Sequence, residues 1–263
     1  MTDDNNPGTV TMRTEGRIAI ITVDNVEKKN SYTPEMLEQV SEHLTAFDDR
    51  DDLWVAVFCS AGDHTTAGLD MPKFFGPTAT AKPLPDDVID PFGLGPRRTY
   101  KPVIAVVQGI TYTVGIEMML AADIVIAADS TRFQQLESRR GIAPLGGAHF
   151  RYLTRTGWGN AMYHLMQCEE FGAQRALELG FVQEVVPHGT QLQRALELAN
   201  TITKNAPLGL RAMKEAALKY VEAAEQAAID EIPRIREKVF ASEDFKEGIQ
   251  SFIERREAQF SGR

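Results

Sequence analysis

KPVIAVVQGITYTVGIEMMLAADIVIAADS, residues 101–130, reads as a strand, a glycine-bearing turn, a short apolar helix and a second strand. The runs 103–108 and 124–128 are apolar, β-branched and of strand length, while the stretch from Val114 to Ala122 has helix-forming residues and no polar face. A helix that is apolar all round is buried all round. Glu117, its one ionisable residue before Asp123, must therefore reach the helix edge or lie inside, where an unpaired carboxylate is costly. Glu117 is the first candidate for chemistry.

Working outward, FQQLESRRGIAPLGG follows the second strand and places Glu137 at a strand-to-loop boundary ahead of a glycine-rich segment. If the two strands are neighbours in one sheet, the turn before the helix and the loop after the second strand converge, and Glu117 and Glu137 face a common pocket. Two such carboxylates can divide acid and base work. The ionised one takes a proton from water; the other, its proton affinity raised by burial and by its neighbour's charge, delivers one to carbon. Glu137 is equally readable as a solvated residue paired with Arg139 or Arg140.

The remainder of the chain continues this alternation. Residues 17–24 alternate into a strand, Thr33 is placed to cap a helix that Pro34 opens and that runs to about Asp49, and 53–59 has a buried-strand pattern. This β-α-β order predicts helices packed over a largely parallel sheet. SAGDHTTAGLDM leaves that strand through small residues whose backbone can approach a ligand and whose amides are free to donate, with Gly68 tolerating torsions that others do not. An ordinary turn reads the same way. Residues 72–98 turn to proline, glycine and aspartate and predict a long loop or lid with at most a short helix. Beyond it, 158–166, 173–179 and 191–205 are helical, with a strand over 181–186, and the segment from Pro207 carries three helices with apolar positions three and four residues apart. Three parts result: a flexible segment over 1–16, a main unit over 17–205 and a helical region over 206–263 that docks on the main unit or on another subunit.

Composition narrows the function. With 263 residues, 43% hydrophobic and 25% charged, the chain is an ordinary globular one, and a net charge of −9 disfavours nucleic-acid or anionic-membrane partners. No apolar run approaches membrane-spanning length. Cys59 and Cys168 form no CxxC pair and read as reduced, buried thiols of a cytoplasmic protein. Serine-hydrolase elbows, dinucleotide fingerprints and nucleotide P-loops are missing, and the five histidines have no zinc spacing. His64 lies nearest the expected site but reads as a polar loop residue. No metal ligand set and no cofactor are expected.

AGLD at 67–70, KPVIAVVQG at 101–109, GIEMMLAADIVIA at 115–127 and EDFKEGIQSFIERR near the C-terminus together resemble the crotonase, or enoyl-CoA hydratase/isomerase, superfamily. The resemblance runs in order from about Arg17 to the C-terminus. It implies an α/β fold, a spiral of β-β-α units with a C-terminal helical trimerisation region, and an acyl-CoA thioester substrate. It implies homotrimers or dimers of trimers. One oxyanion-hole amide falls on Leu69 and the other on Val114, and Glu117 and Glu137 fall on the two hydratase glutamates, the first activating water and the second protonating the α-carbon. Ala67, Gly68 and Asp70 flank the first amide, Lys29 matches a basic position near the CoA entrance, and Phe252 and Arg255 match aromatic and basic positions that approach the adenine and phosphates. Arg255 reads equally as a helix-surface charge.

Isomerases of the superfamily often keep only the second glutamate, so the pair favours a hydratase, with a Δ3-Δ2-enoyl-CoA isomerase or a non-catalytic acyl-CoA-binding assembly subunit as alternatives. Two departures stand out. Thr113, Val114 and Gly115 replace a run of glycines, and Thr65 replaces an aromatic; β-branched residues there are expected to reshape the acyl pocket.

Overall fold

The computed structural model describes residues 8–75 and 79–263. In chain order, strands β1 (Thr9–Glu15) and β2 (Ile18–Asp24) form a hairpin and lead into helix α1 (Pro34–Asp49) and strand β3 (Val55–Ser60). Short helix α2 (Met71–Phe75) precedes strands β4 (Val103–Val107) and β5 (Ile110–Tyr112), helix α3 (Val114–Ala121), and strands β6 (Ile124–Ala128) and β7 (Arg132–Gln134). Helices α4 (Ala148–Thr156) and α5 (Trp158–Gln167) follow, then β8 (Phe171–Gly172), α6 (Ala173–Glu178), β9 (Glu184–Val186) and α7 (Gln191–Ile202). Helices α8 (Pro207–Ile229), α9 (Ile232–Phe240) and α10 (Glu243–Glu254) end the chain.

The main sheet has six strands in the order β1-β2-β3-β4-β6-β9. Every pairing in it is parallel except the β1–β2 hairpin. All five residues of β4 are buried, as a strand covered on both faces requires. A second, three-stranded sheet, β5-β7-β8, takes one strand after each of β4 and β6. The chain therefore steps from the main sheet to the small sheet and back through a helix: β4, β5, α3, then β6, β7. This is the β-β-α spiral. The bridge between Thr66 and Thr111 brings the segment after β3 into the same relation.

Local chemistry accounts for the element ends. Thr33 Oγ1 accepts from the Met36 amide at 3.3 Å and Pro34 opens α1, which buries Met36, Val40, Leu44 and Phe47 along one face. Gly109, at φ +52°, makes the turn between β4 and β5, where a side chain would run into the Asp63 carbonyl. Ser242 Oγ caps α10 by accepting from the Phe245 amide at 3.0 Å.

Several expectations require correction. Residues 9–15 of the segment read as flexible form the edge strand β1, which buries Val10 and pairs along its length with β2; residues 1–7 lie outside the described residues. Its threonines and charges mask a strand that has only one buried side. Strand β5 interrupts the expected passage from β4 to α3, and α4 rises directly from the glycine-rich segment that reads as loop. Between 72 and 98 the structure agrees with a long loop bearing one short helix, residues 76–78 being outside the description.

The C-terminal helices lie against the main unit at specific points. Lys214 Nζ donates to Asp123 Oδ2 at 2.7 Å and to the Lys101 carbonyl at 2.8 Å. Arg98 Nη2 meets Glu225 Oε2 at 2.7 Å. Gly141 and Gly248 pack backbone to backbone, against Asp244 and Arg140 respectively, so α10 is seated on the turn 137–140. Leu208, Met213 and Tyr220 of α8 remain 65–87% exposed.

Candidate active site

Seven of the eight residues of α3 are buried, and Glu117 is only 2% exposed. With no solvated face on its helix, its carboxylate finds partners elsewhere: Oε1 accepts from the Gly146 amide at 2.8 Å and from the Ala148 amide at 3.1 Å, where α4 begins. Unsatisfied amides at a helix N-terminus suit an anion. A Cβ at position 146 would overlap Glu117 Oε2 and stand 2.8 Å from the Phe92 ring, so glycine there is what lets the turn close over the carboxylate. Burial nevertheless outweighs these amides and the nearby Arg151 charge, and pushes the Glu117 carboxyl up to about 7.

Glu137 does not lie in an open loop. It begins the 3-10 turn Glu137–Arg140, is 7% exposed, and makes no ion pair with either neighbouring arginine; Arg139 pairs with Glu169 instead. Its Oε1 accepts from Gln135 Nε2 at 2.8 Å, and the Tyr152 hydroxyl lies 3.5 Å from Gln135 Oε1 behind it. Glu137 Oε2 is buried without a hydrogen-bond partner among the described residues. Burial first, and then the charge of Glu117, push this carboxyl up to about 8. The two glutamates are thus near enough to feel one another, and neither carries its charge cheaply.

The two candidate amides occupy adjoining segments. Gly68, at φ +117°, sits so close to Thr113 that a Cβ would approach Thr113 Oγ1 to 2.9 Å. Leu69 and Val114 follow these two residues and share one apolar cluster with Met118, Ile89 and Phe92. Asp70 and Ala67 donate their amides to the Tyr32 and Lys29 carbonyls, whereas the Leu69 and Val114 amides have no acceptor among the described residues. Thr113 takes φ +49°, ψ −112°, an uncommon conformation for a β-branched residue, and so turns the Val114 amide outward at the start of α3.

The remaining expected residues divide. Ala67, Gly68 and Asp70 lie beside the amides, and the Lys29 carbonyl is held by Ala67, with the Lys29 side chain exposed. Asp70 also lies 3.9 Å from Lys28 Nζ. Phe252 is stacked under the Arg140 guanidinium at 5.0 Å, on the segment that carries Glu137. Arg255 ends α10 exposed and without an ion pair among the described residues. Thr65 is buried, and its hydroxyl exchanges hydrogen bonds with the Gln108 backbone at 2.7 and 3.0 Å, which fastens the end of β4. His64 Nδ1 likewise accepts from the Ile110 amide at 3.2 Å. The Gly146 and Ala148 amides, Phe92, Gln135 and Arg151 escaped sequence reading; a glycine pair just before a helix start was the available signal.

A cavity of about 450 Å³ lies between α1, the 89–99 loop and α8; Met118, Ile89 and Arg151 line it, whereas Glu117, Glu137, Leu69 and Val114 do not. The paired carboxylates are the candidate for chemistry, since burial raises the proton affinity of both toward neutrality.

The fold is a sheet-to-sheet spiral with a buried pair of carboxylates, one of them on the helix that Val114 opens. Residues 13–263 match the family Enoyl-CoA hydratase/isomerase. The chain is 30% identical over 257 residues to the enoyl-CoA hydratase EchA19 of Mycobacterium tuberculosis, covering 94% of each, and 31% identical to the mevalonyl-coenzyme A hydratase sidH of Aspergillus fumigatus, covering 92% of this chain and 91% of that one. A probable enoyl-CoA hydratase/isomerase from Mycobacterium abscessus superposes with a TM-score of 0.78 at 37% identity, covering 97% of this chain and 99% of that one. The chain belongs to the enoyl-CoA hydratase/isomerase family of the crotonase superfamily, and it is an enzyme of enoyl-CoA hydratase type.

Proposed function

We propose that this enzyme adds water reversibly to a trans-2-enoyl-CoA thioester, with Glu117 and Glu137 as the acid–base pair and the Leu69 and Val114 amides as the oxyanion hole. The observation that carries this reading is the pairing of two buried, mutually repelling carboxylates, together with two amides, one opening the helix of Glu117, that have no acceptor among the described residues. In the hydration direction, Glu117, steadied in its ionised form by the Gly146 and Ala148 amides, takes a proton from water as the water oxygen bonds to the β-carbon. The electron pair of the double bond moves onto the thioester oxygen, where two aimed amides are worth ~3–4 kcal/mol each. Glu137, whose environment favours the protonated form, then gives its proton to the α-carbon and the thioester carbonyl reforms. The next water relays the proton from Glu117 back to Glu137, accepting from the first and donating to the second, and so restores both groups. No electrons are exchanged with a cofactor in this sequence, and the amides supply the polarisation of the carbonyl, so none is invoked.

Ala67, Gly68 and Asp70 would line the thioester end of the substrate, Lys29 the entrance for the CoA phosphates, and Phe252 and Arg255 the adenine end. The exposed Leu208, Met213 and Tyr220 of α8 support assembly into a homotrimer or a dimer of trimers. Two free, buried cysteines fit a cytoplasmic setting.

The test is to mix the purified protein with crotonyl-CoA and with longer and branched 2-enoyl-CoAs, and to follow loss of the conjugated thioester absorbance. Turnover of at least one of them is expected. Conversion of 3-enoyl-CoAs without hydration would identify an isomerase, and silence on the whole panel with acyl-CoA binding retained would identify a non-catalytic binder.

A further inference from the structure

Arg151 is 4% exposed, yet it belongs neither to the carboxylate pair nor to the amides that face the thioester. It lies in the first turn of α4, the helix whose N-terminus holds Glu117. Its guanidinium donates to the Phe92 carbonyl at 2.5 Å, to the Gly93 carbonyl at 3.1 Å and to the Gly146 carbonyl at 3.4 Å, and its Nε stands 3.7 Å from Glu225 of α8. Gly146 is the residue whose amide holds Glu117 and whose Cβ position is bounded by the Glu117 carboxylate and the Phe92 ring. One buried cation therefore ties together the amide cradle of Glu117, the loop that covers it and a helix of the C-terminal region.

We propose that Arg151 is a positioning residue for Glu117: it locks the turn that carries the Gly146 and Ala148 amides against the 92–93 loop, and Glu225 of α8 holds it there. The inference rests on the reading of Glu117 as the group that takes the proton from water. Geometry and charge act in the same direction. A fixed cradle keeps two donors on Glu117 Oε1, and the positive charge beside it opposes the burial that favours the neutral acid. Burial lowers the proton affinity of Arg151 to about 10, Glu225 being the chief opposing charge, so the guanidinium stays charged through neutral pH.

The charged and titratable groups around Glu117 are Glu137 on the 137–140 turn, and Arg151 and Tyr152 on α4. Those around Arg151 are Glu225 on α8, Asp90 and Arg98 in the 90–98 loop, and Glu117 itself. Among these, Arg98 is engaged with Glu225, which leaves Arg151 as the cation against the Glu117 turn.

The test is the pH dependence of kcat/KM for full-length R151Q, R151K and R98M/R151M/E225M, with E117Q alongside, on a 2-enoyl-CoA that the unmodified enzyme hydrates. R151Q is expected to lose roughly 5-fold near pH 7 relative to the unmodified enzyme, with its acid limb displaced upward by about one pH unit and most of that relative loss regained at about pH 9, since an opposite charge nearby typically moves a carboxyl by that much or more. R151K keeps the cation and should keep the acid limb while losing kcat through the broken clamp. A defect of packing alone would lower activity without moving the limb. If R151Q does not fold, R98M/R151M/E225M removes the whole group of paired charges without leaving one of the three unpaired, and its limb should move the same way by less. A folded R151Q, or failing that a folded triple variant, whose acid limb coincides with the unmodified enzyme's overturns the proposal. If E117Q is inactive while the limb stays put, only the role of Arg151 falls; if E117Q is fully active, the reading of Glu117 falls and this proposal with it.

Discussion

Glu117 and Glu137 are buried to nearly the same degree, and burial raises the proton affinity of both, but the chain holds them in opposite ways. Around Glu117 the backbone supplies two amides at a helix start and a cation close behind, all of which favour the carboxylate. Around Glu137 the Gln135 side chain reaches one oxygen and the amides of residues 136 and 137 lend some help, but the second oxygen has no hydrogen-bond partner among the described residues and the charge that shifts this carboxyl is the negative one of Glu117. The difference shows how one fold prepares two chemically identical side chains for opposite proton transfers. Burial sets the common level, and donors to the ionised form set the order.

The largest effects should come from the carboxylates themselves. E117Q and E137Q should fold and bind acyl-CoA, and each should lower hydration by ~10²–10⁴-fold, the scale of a lost general base or acid. Because the pair must hold one proton between them, kcat/KM should peak between about pH 7 and about pH 8 and fall on either side. A profile that stays flat from about pH 5 to about pH 10, with chemistry limiting, would remove the division of labour. G146A comes next. A methyl at that position overlaps Glu117 Oε2, so the carboxylate or the turn must move, and a loss of roughly 10–100-fold in kcat with a smaller change in KM is expected. Unchanged kcat would show that the cradle does not fix the base.

Stability offers an independent way to separate the two sites. Both carboxyls have folded-state values raised above the ordinary carboxyl near 4.5, so the folded state binds more protons than the unfolded one in between. Their contribution is fully present below about pH 4.5 and is lost as pH rises through about 7 to 8. E137Q removes a charge that has little to receive it, and should raise stability at pH 9 by on the order of 1–3 kcal/mol while changing little at pH 5. E117Q also removes a charge, but one that two amides were arranged to meet, and should gain less. Chemical denaturation of both variants at the two pH values decides this. An equal gain for both would mean that the donors around Glu117 do not distinguish the sites.

How much of this could be read from the chain depends on how each partner is specified. Glu117 was legible because a carboxylate in an apolar helix is a conflict visible in the residues alone, and Glu137 because it lies just beyond the next strand. The amides that separate their roles were not, since Gly146 and Ala148 act through backbone groups that every residue type carries; only a glycine pair ahead of α4 hinted at them. Arg151 looked like any helix arginine, and its burial is decided by the 90–98 loop and by Glu225 from α8, 74 positions away. The parallel order of the main sheet followed from alternating runs of strand and helix, whereas β5, β7 and β8, at three, three and two residues, are too short to show any periodicity.

Val114 gives the smallest effect and tests the amides on which both glutamates depend. Its amide has no acceptor among the described residues, but its side chain is 6% exposed and packs in the cluster that includes Leu69, Phe92, Ile89 and Met118. Backbone and side chain can therefore be separated. V114G keeps the amide and removes the isopropyl group from the wall shared by the Leu69 and Phe92 side chains. Bulkier acyl groups should gain on short ones by ~10–100-fold in relative kcat/KM, since one or two methylene equivalents discriminate by only ~1–3 kcal/mol. V114P deletes the donor at a helix start where proline is tolerated, and should lower turnover on every acyl-CoA alike. The uncommon torsions of Thr113, which aim this amide, are retained by neither glycine's freedom nor proline's rigidity in advance, so each variant is read on a chain-length series against its own folded fraction. An unaltered chain-length profile in V114G would show that the side chain does not bound the acyl group. Full turnover in a folded V114P would take this amide out of the oxyanion hole and leave Leu69 to carry the enolate alone.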